Sequence, residues 1–158
     1  MIRPLLFCLL VLPLAAAATT QQGKFPWTAG DAPPLVAGVP LAASRARLDT
    51  LLGTPTDSQP LRADAWAFNF RARGLTVVYT LRDGAVAIYL LRRDAGDIGG
   101  VRLGDSKDAV LTRWGSSSTT DGPNALYIAG KWAVVLTLDS ALTSVVELGL
   151  SRGAASHQ

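Results

Sequence analysis

Gly38-Val39-Pro40-Leu41-Ala42-Ala43-Ser44 returns further along the chain as Gly100-Val101-Arg102-Leu103-Gly104-Asp105-Ser106, and Gly53 has its counterpart in Gly115. A doubled pattern of this kind constrains architecture ahead of any propensity argument. It predicts two copies of one small unit, the first over residues 37–91 and the second over 100–151, joined by a linker at 92–99.

Each unit opens on a short helix. Ser44 precedes RARLDTLLG, which supplies a hydroxyl N-cap, places Leu48, Leu51 and Leu52 on one face, and ends on a glycine able to take a positive φ. Ser106 does the same for KDAVLTRWG, where Val110 and Trp114 share a face and Gly115 closes the end. Asp105 and Asp108 lie near the positive end of the second helix and Arg113 near its negative end, whereas Arg45 and Arg47 oppose the dipole of the first. The first helix therefore depends more on packing.

Three strands are expected after each helix. Trp66, Phe68 and Phe70 alternate with Ala67, Asn69 and Arg71, which is the period of a strand with one aromatic face. LTVVYTLR and AVAIYLL flank Asp83-Gly84, a strong two-residue hairpin signal that would pair Leu81 with Val86, Tyr79 with Ile88 and Val77 with Leu90. In the second unit a three-residue connection, Asp139-Ser140-Ala141, would set Leu138 opposite Leu142, Leu136 opposite Ser144 and Val134 opposite Val146. The fold class expected from these signals is α+β: two tandem helix-plus-three-strand repeats forming an antiparallel sheet, with the short helices on one face.

The ends read differently. Arg3, the apolar run Leu5 to Leu14 and the small residues Ala15 to Ala18 match a signal peptide over residues 1–18, and the run is short of the roughly 20 apolar residues of a membrane span. No integral span is expected once it is cleaved, and the single cysteine, Cys8, would leave with it. Residues 19–36 form a Pro- and Gly-rich extended leader, and 152–158 a flexible tail. The expected location is the periplasm or the extracellular space. The 15 Lys and Arg against 12 Asp and Glu give no cationic excess of the kind nucleic acid requires. Arg71, Arg73, Arg92, Arg93 and Arg102 fall at turns and the linker, as solvated edge residues do.

The G-x-x-L-x-x-S opening, the helix ending in Leu52-Gly53 or Trp114-Gly115 and the meander that follows, written in tandem behind an export signal, resemble the repeat of the beta-lactamase-inhibitor-protein-like superfamily. The small outer-membrane assembly lipoproteins of the SmpA/OmlA type are similar to that superfamily. The resemblance spans about Gly38 to Ser151 and implies a non-enzymatic protein whose curved sheet grips another protein. The chain departs from the lipoproteins in having no cysteine just after the signal, and from the inhibitors in having no disulfides.

Residues able to carry chemistry are few. His157 is the only histidine and sits in the tail, which leaves a Ser-His-acid triad or a zinc site short of members. Asp94, Asp97, Asp105 and Asp108 offer carboxylates for calcium or for acid/base hydrolysis, yet they lack the D-x-D-x-D-G spacing, and two of them have a sufficient role at a helix start. Ser116-Ser117-Ser118 runs into a polar turn cluster, and Gly96, Gly99 and Gly100 precede no P-loop Lys-Ser or Lys-Thr. Trp66, Phe68, Phe70, Trp114 and Trp132 are read as core, and Trp27 is left open between core and surface.

The other side of the sheet is more informative. If the bulky alternating residues point inward, Val78, Thr80, Tyr89, Leu91, Val135 and Val145 point outward, together with Ala87 and Thr137. A sheet face meeting only water is normally more polar than this. Either the leader covers it through Phe25, Pro26 and Trp27, or it is offered to a protein partner. The function expected is an exported, non-enzymatic protein-binding domain of the cell envelope or secreted space, of inhibitor or assembly-factor type, with no cofactor and no metal. The alternatives are a calcium- or ligand-binding module or carboxylate hydrolase built on Asp94 to Asp108, and a structural envelope component.

Overall fold

The computed structural model describes residues 23–153. The expected signal peptide with Cys8, and the part of the tail that holds His157, lie outside the described residues.

Each copy of the quoted stretch folds as a tight turn followed by a capped helix. Val36 and Val39 exchange backbone hydrogen bonds across Ala37 and Gly38, as Ile98 and Val101 do across Gly99 and Gly100, and all four intervening residues have positive φ. That is the demand of a two-residue primed turn. Gly99 has a second reason to be glycine, since a Cβ there would lie 2.6 Å from the Trp27 ring. The helices follow: α1 (Arg45–Leu52) is capped by the Ser44 hydroxyl accepting from the Arg47 amide, and α2 (Lys107–Trp114) by Ser106 accepting from Ala109. Arg45, unfavourably placed for the dipole, ion-pairs with Asp49 and lays its guanidinium over the Phe68 ring.

The arrangement around these helices corrects the expected α+β pair of helix-plus-three-strand units. The body is a single eight-stranded antiparallel sheet, and two eight-residue helices are its only α-helices among the described residues. The strands are β1 (Asp57–Arg62), β2 (Ala65–Phe70), β3 (Leu75–Thr80), β4 (Gly84–Leu90), β5 (Thr119–Asp121), β6 (Asn124–Ala129), β7 (Trp132–Leu138) and β8 (Val145–Arg152). Their order is β1-β2-β3-β4-β8-β7-β6-β5, so β4 and β8 meet at the centre while β1 and β5 form the edges. The edge strands are the ones the hydrophobic pattern hides. β1 reads DSQPLR, is mostly exposed, and carries Pro60 and a register shift beside it, the features that protect an edge from further pairing.

Both hairpin registers also differ from expectation. Val77 pairs with Ile88, Tyr79 with Ala85 and Thr80 with Gly84, with a bulge at Val78/Tyr79. Gly84 is not the second residue of a two-residue turn but the first residue of β4, at φ 73. The cause is tertiary. Ala85 exchanges hydrogen bonds with Ala42 and Ala43, and Gly84 packs so closely on that segment that a Cβ would lie 2.6 Å from the Ala43 carbonyl oxygen. In the other hairpin Leu138 pairs with Val145, Leu136 with Leu148 and Val134 with Leu150, across a six-residue connection at 139–144. Asp139 organises it: its carboxylate accepts from the Thr143 amide and from the Thr143 and Ser144 hydroxyls, which hold its pKa down at about 2.

One face of the sheet builds the core. Phe68, Val77, Ile88, Leu150, Val134 and Tyr127 lie in one cross-strand row, with Leu48 of α1 and Val110 and Trp114 of α2 in the same cluster. The leader joins this side. Phe25 contacts Trp114 and Tyr127, Trp27 contacts Trp132 edge-on at 5.6 Å, and the Trp132 indole donates to the Asp31 carbonyl. Trp27 is therefore a core-packing residue.

Candidate functional site

Among the described residues the opposite sheet face carries no helix, and the helix and leader residues of the core cluster with the first face. Its cross-strand rows follow from the pairing. One runs Gln59, Ala67, Val78, Ala87, Ser151, Ala133 and Ile128, and the next runs Asn69, Thr76, Tyr89, Gly149, Val135 and Leu126. The small residues of the first row make a shallow trough. Ala87 and Ala133 are only 7% and 1% exposed, while Ile128 is 41% exposed. The leader's aromatic residues, the alternative cover for this surface, lie on the other side of the sheet.

Tyr89 is the fixed point of the face. It pairs with Gly149, and a Cβ on that glycine would lie 2.3 Å from the Tyr89 Cδ1, so the ring lies directly over the bare backbone of β8. An aromatic ring on a strand glycine fills the space that the missing side chain leaves. Burial raises the phenol pKa, and the negative charge of Glu147 raises it further. Tyr89, Thr76, Leu91, Val146 and Glu147 together line an open depression of about 420 Å³ beside the trough.

Of the six residues expected to point outward, Val78, Tyr89 and Val135 do so and are half-buried. Leu91 lies one residue past β4 at the rim, 47% exposed. Thr80 is on the outer side but buried at the hairpin, where its hydroxyl accepts from the Asp83 amide. Val145 is a correction: the bulge at Thr137/Leu138 turns it inward beside Leu138, and it is 1% exposed. Sequence reasoning missed Leu126, Ile128 and Gly149. The alternation of Ala125, Tyr127 and Ala129 with Leu126 and Ile128 carried the signal for the first two.

Three of the four aspartates of the alternative reading are engaged by partners, and the fourth sits at a helix start. Asp94 pairs with Arg92, and Asp105 pairs with Arg93 while accepting from the Arg102 amide. Asp97 accepts from the Gly100 amide and faces Arg102 at 3.8 Å, and Asp108 lies in the first turn of α2. No group of three or more His, Cys, Asp or Glu able to hold a metal ion occurs among the described residues. No helix among them is long and apolar enough to cross a membrane.

No protein-family model matches the chain. No curated protein matches it in sequence. Its fold is similar to part of a cysteine-rich secretory protein from Staphylococcus aureus, with a TM-score of 0.59 and 12% identity over 82% of this chain and 50% of the other. It is also similar to part of an extracellular protein containing a SCP domain from Bacillus anthracis, with a TM-score of 0.58 and 11% identity over 71% of this chain and 44% of the other. The chain thus spans about half the length of these two proteins. At such identities the likeness is one of fold.

Proposed function

We propose that this chain is an exported, non-catalytic protein-binding domain, and that the open sheet face is where its partner docks. The observation that carries the reading is the asymmetry of the sheet. One face holds the helices and leader, and the other presents Val78, Tyr89, Val135, Leu126 and Ile128 with no covering element among the described residues. A two-row surface of mostly small and medium apolar residues, with polar ones toward the β1 side and at Ser151, is costly to leave in water and suits a flat, closely apposed protein surface. Export is supported by the signal-like first 18 residues, and by the fold's occurrence within proteins described as secretory and extracellular. The engaged aspartates favour this reading over a calcium site or a carboxylate hydrolase.

A photo-crosslinking amino acid placed at position 128 or 135 on the open face, and at position 46 or 50 on the exposed side of α1, tests it in intact cells of the source organism. The expected result is a discrete protein adduct from 128 and 135 only, suppressed by Val78→Lys in the same chain while the melting temperature is retained. Equal adduct patterns from both faces, or insensitivity to Val78→Lys, would refute the docking face.

A further inference from the structure

A second site lies on the helix side of the sheet, independent of the open face. Between α2 and the strands β5, β6 and β7 is a cleft of about 200 Å³ with Val110, Leu111, Ala125, Leu136 and Leu138 in its walls and Lys107 among its lining residues. Ser117 and Thr120, hydrogen-bonded to each other at 2.7 Å, add hydroxyls to its rim. Lys107 makes no ion pair among the described residues.

The equivalent position on the other helix shows what is unusual here. Arg45, like Lys107, directly follows the capping serine, but it is engaged by Asp49 one turn on and by the face of Phe68 at 4.1 Å. One turn after Lys107 stand Val110 and Leu111, so the cation has no acid at i+3 or i+4 and both apolar residues contribute to the cleft wall instead. An apolar pocket with one uncommitted cation beside it is complementary to an amphipathic anion. We propose that the cleft binds a compact apolar group bearing a carboxylate, with the apolar part between Val110, Leu111, Leu136 and Leu138 and the carboxylate facing Lys107. Such a group occurs as a small free acid or as the C-terminal residue of a peptide.

The test is an NMR titration of the isotopically labelled mature chain with octanoate, with octanol, and with a leucine-terminated tripeptide as its free acid and as its amide. Saturable shifts at the amides of Leu111, Thr120 and Ala125 are expected, with a Kd for octanoate of about 1 mM, as its ten heavy atoms allow. Lys107→Glu should weaken the acid about tenfold and leave octanol unchanged, while Lys107→Arg retains binding. Lys107 is exposed, and the spectrum itself reports that each variant is folded. Binding of octanoate alone identifies a free acid as the source, and binding of the tripeptide acid but not its amide identifies a chain end. No saturable shifts with any probe, or equal affinity in Lys107→Glu, would overturn the assignment.

Discussion

Gly149→Ala is the sharpest perturbation of the open face, because the glycine is needed for a contact rather than for backbone geometry. Its φ is not positive and alanine would be tolerated by the strand, so the cost is the clash of the new Cβ with Tyr89, 2.3 Å from Cδ1 and 3.0 Å from Cγ. These atoms are close to the ring's attachment, so relief requires the ring to leave its place. Overpacking of this kind costs about 1–3 kcal/mol, against a gain of about 0.5–1 kcal/mol from replacing a strand glycine. The net expectation is a loss of about 1–2 kcal/mol, or about 3–7 °C in melting temperature for a domain of this size. In a Tyr89→Ala background the clash is gone and the same substitution should stabilise by about 0.5–1 kcal/mol. Thermal and urea melts of the four proteins measure the coupling. A neutral Gly149→Ala, or the same cost with and without the ring, would show that Tyr89 does not sit over β8.

Ser106→Ala should cost about 1 kcal/mol in urea melts by freeing the Ala109 amide that the hydroxyl caps. Asp139 has a depressed folded pKa, so its contribution is full above the ordinary carboxylate pKa of 3.8 and is lost as pH falls toward about 2. The melting-temperature gap between the natural chain and Asp139→Asn should accordingly be widest at neutral pH and close across that window. The Tyr89 phenol should titrate above the usual 10.0, and Glu147→Gln should lower it only partly, since burial is the larger cause. Carbon-13 NMR of the ring reports this directly, and a full return to the ordinary value would contradict it.

Local signals in the sequence were dependable wherever a residue had one role. Ser44 and Ser106 cap their helices, Gly53 and Gly115 end them at positive φ, and the alternation of Phe68 and Phe70 marks a core-facing strand. What failed were readings that needed knowledge of a distant neighbour. Asp83-Gly84 has the chemistry of a two-residue turn, but pairing of Ala85 with Ala42 and Ala43 draws Gly84 into β4 and shifts the register. The Asp139 loop is held by Thr143 and Ser144, a side-chain network with no hydrophobic period, and lengthening it moves Val145 from the outer face into the core. β1 and β5 were illegible because an edge strand is written in polar residues and proline. The same reasons divide the candidate site: Val78, Tyr89 and Val135 follow from period two, whereas Gly149 gains its meaning only from the ring across the strand pair.

The central claim is that this sheet has one covered face and one bare face, and the chain's cysteine content allows a clean measurement. In a background lacking Cys8, single cysteines at positions 128 and 135 report the open face, and one at position 134, buried in the core, reports the covered face. The account predicts rapid maleimide labelling of 128 and 135 in the folded protein, and labelling of 134 only at the rate of unfolding. Protection at 128 and 135, or native-state labelling at 134, would contradict it.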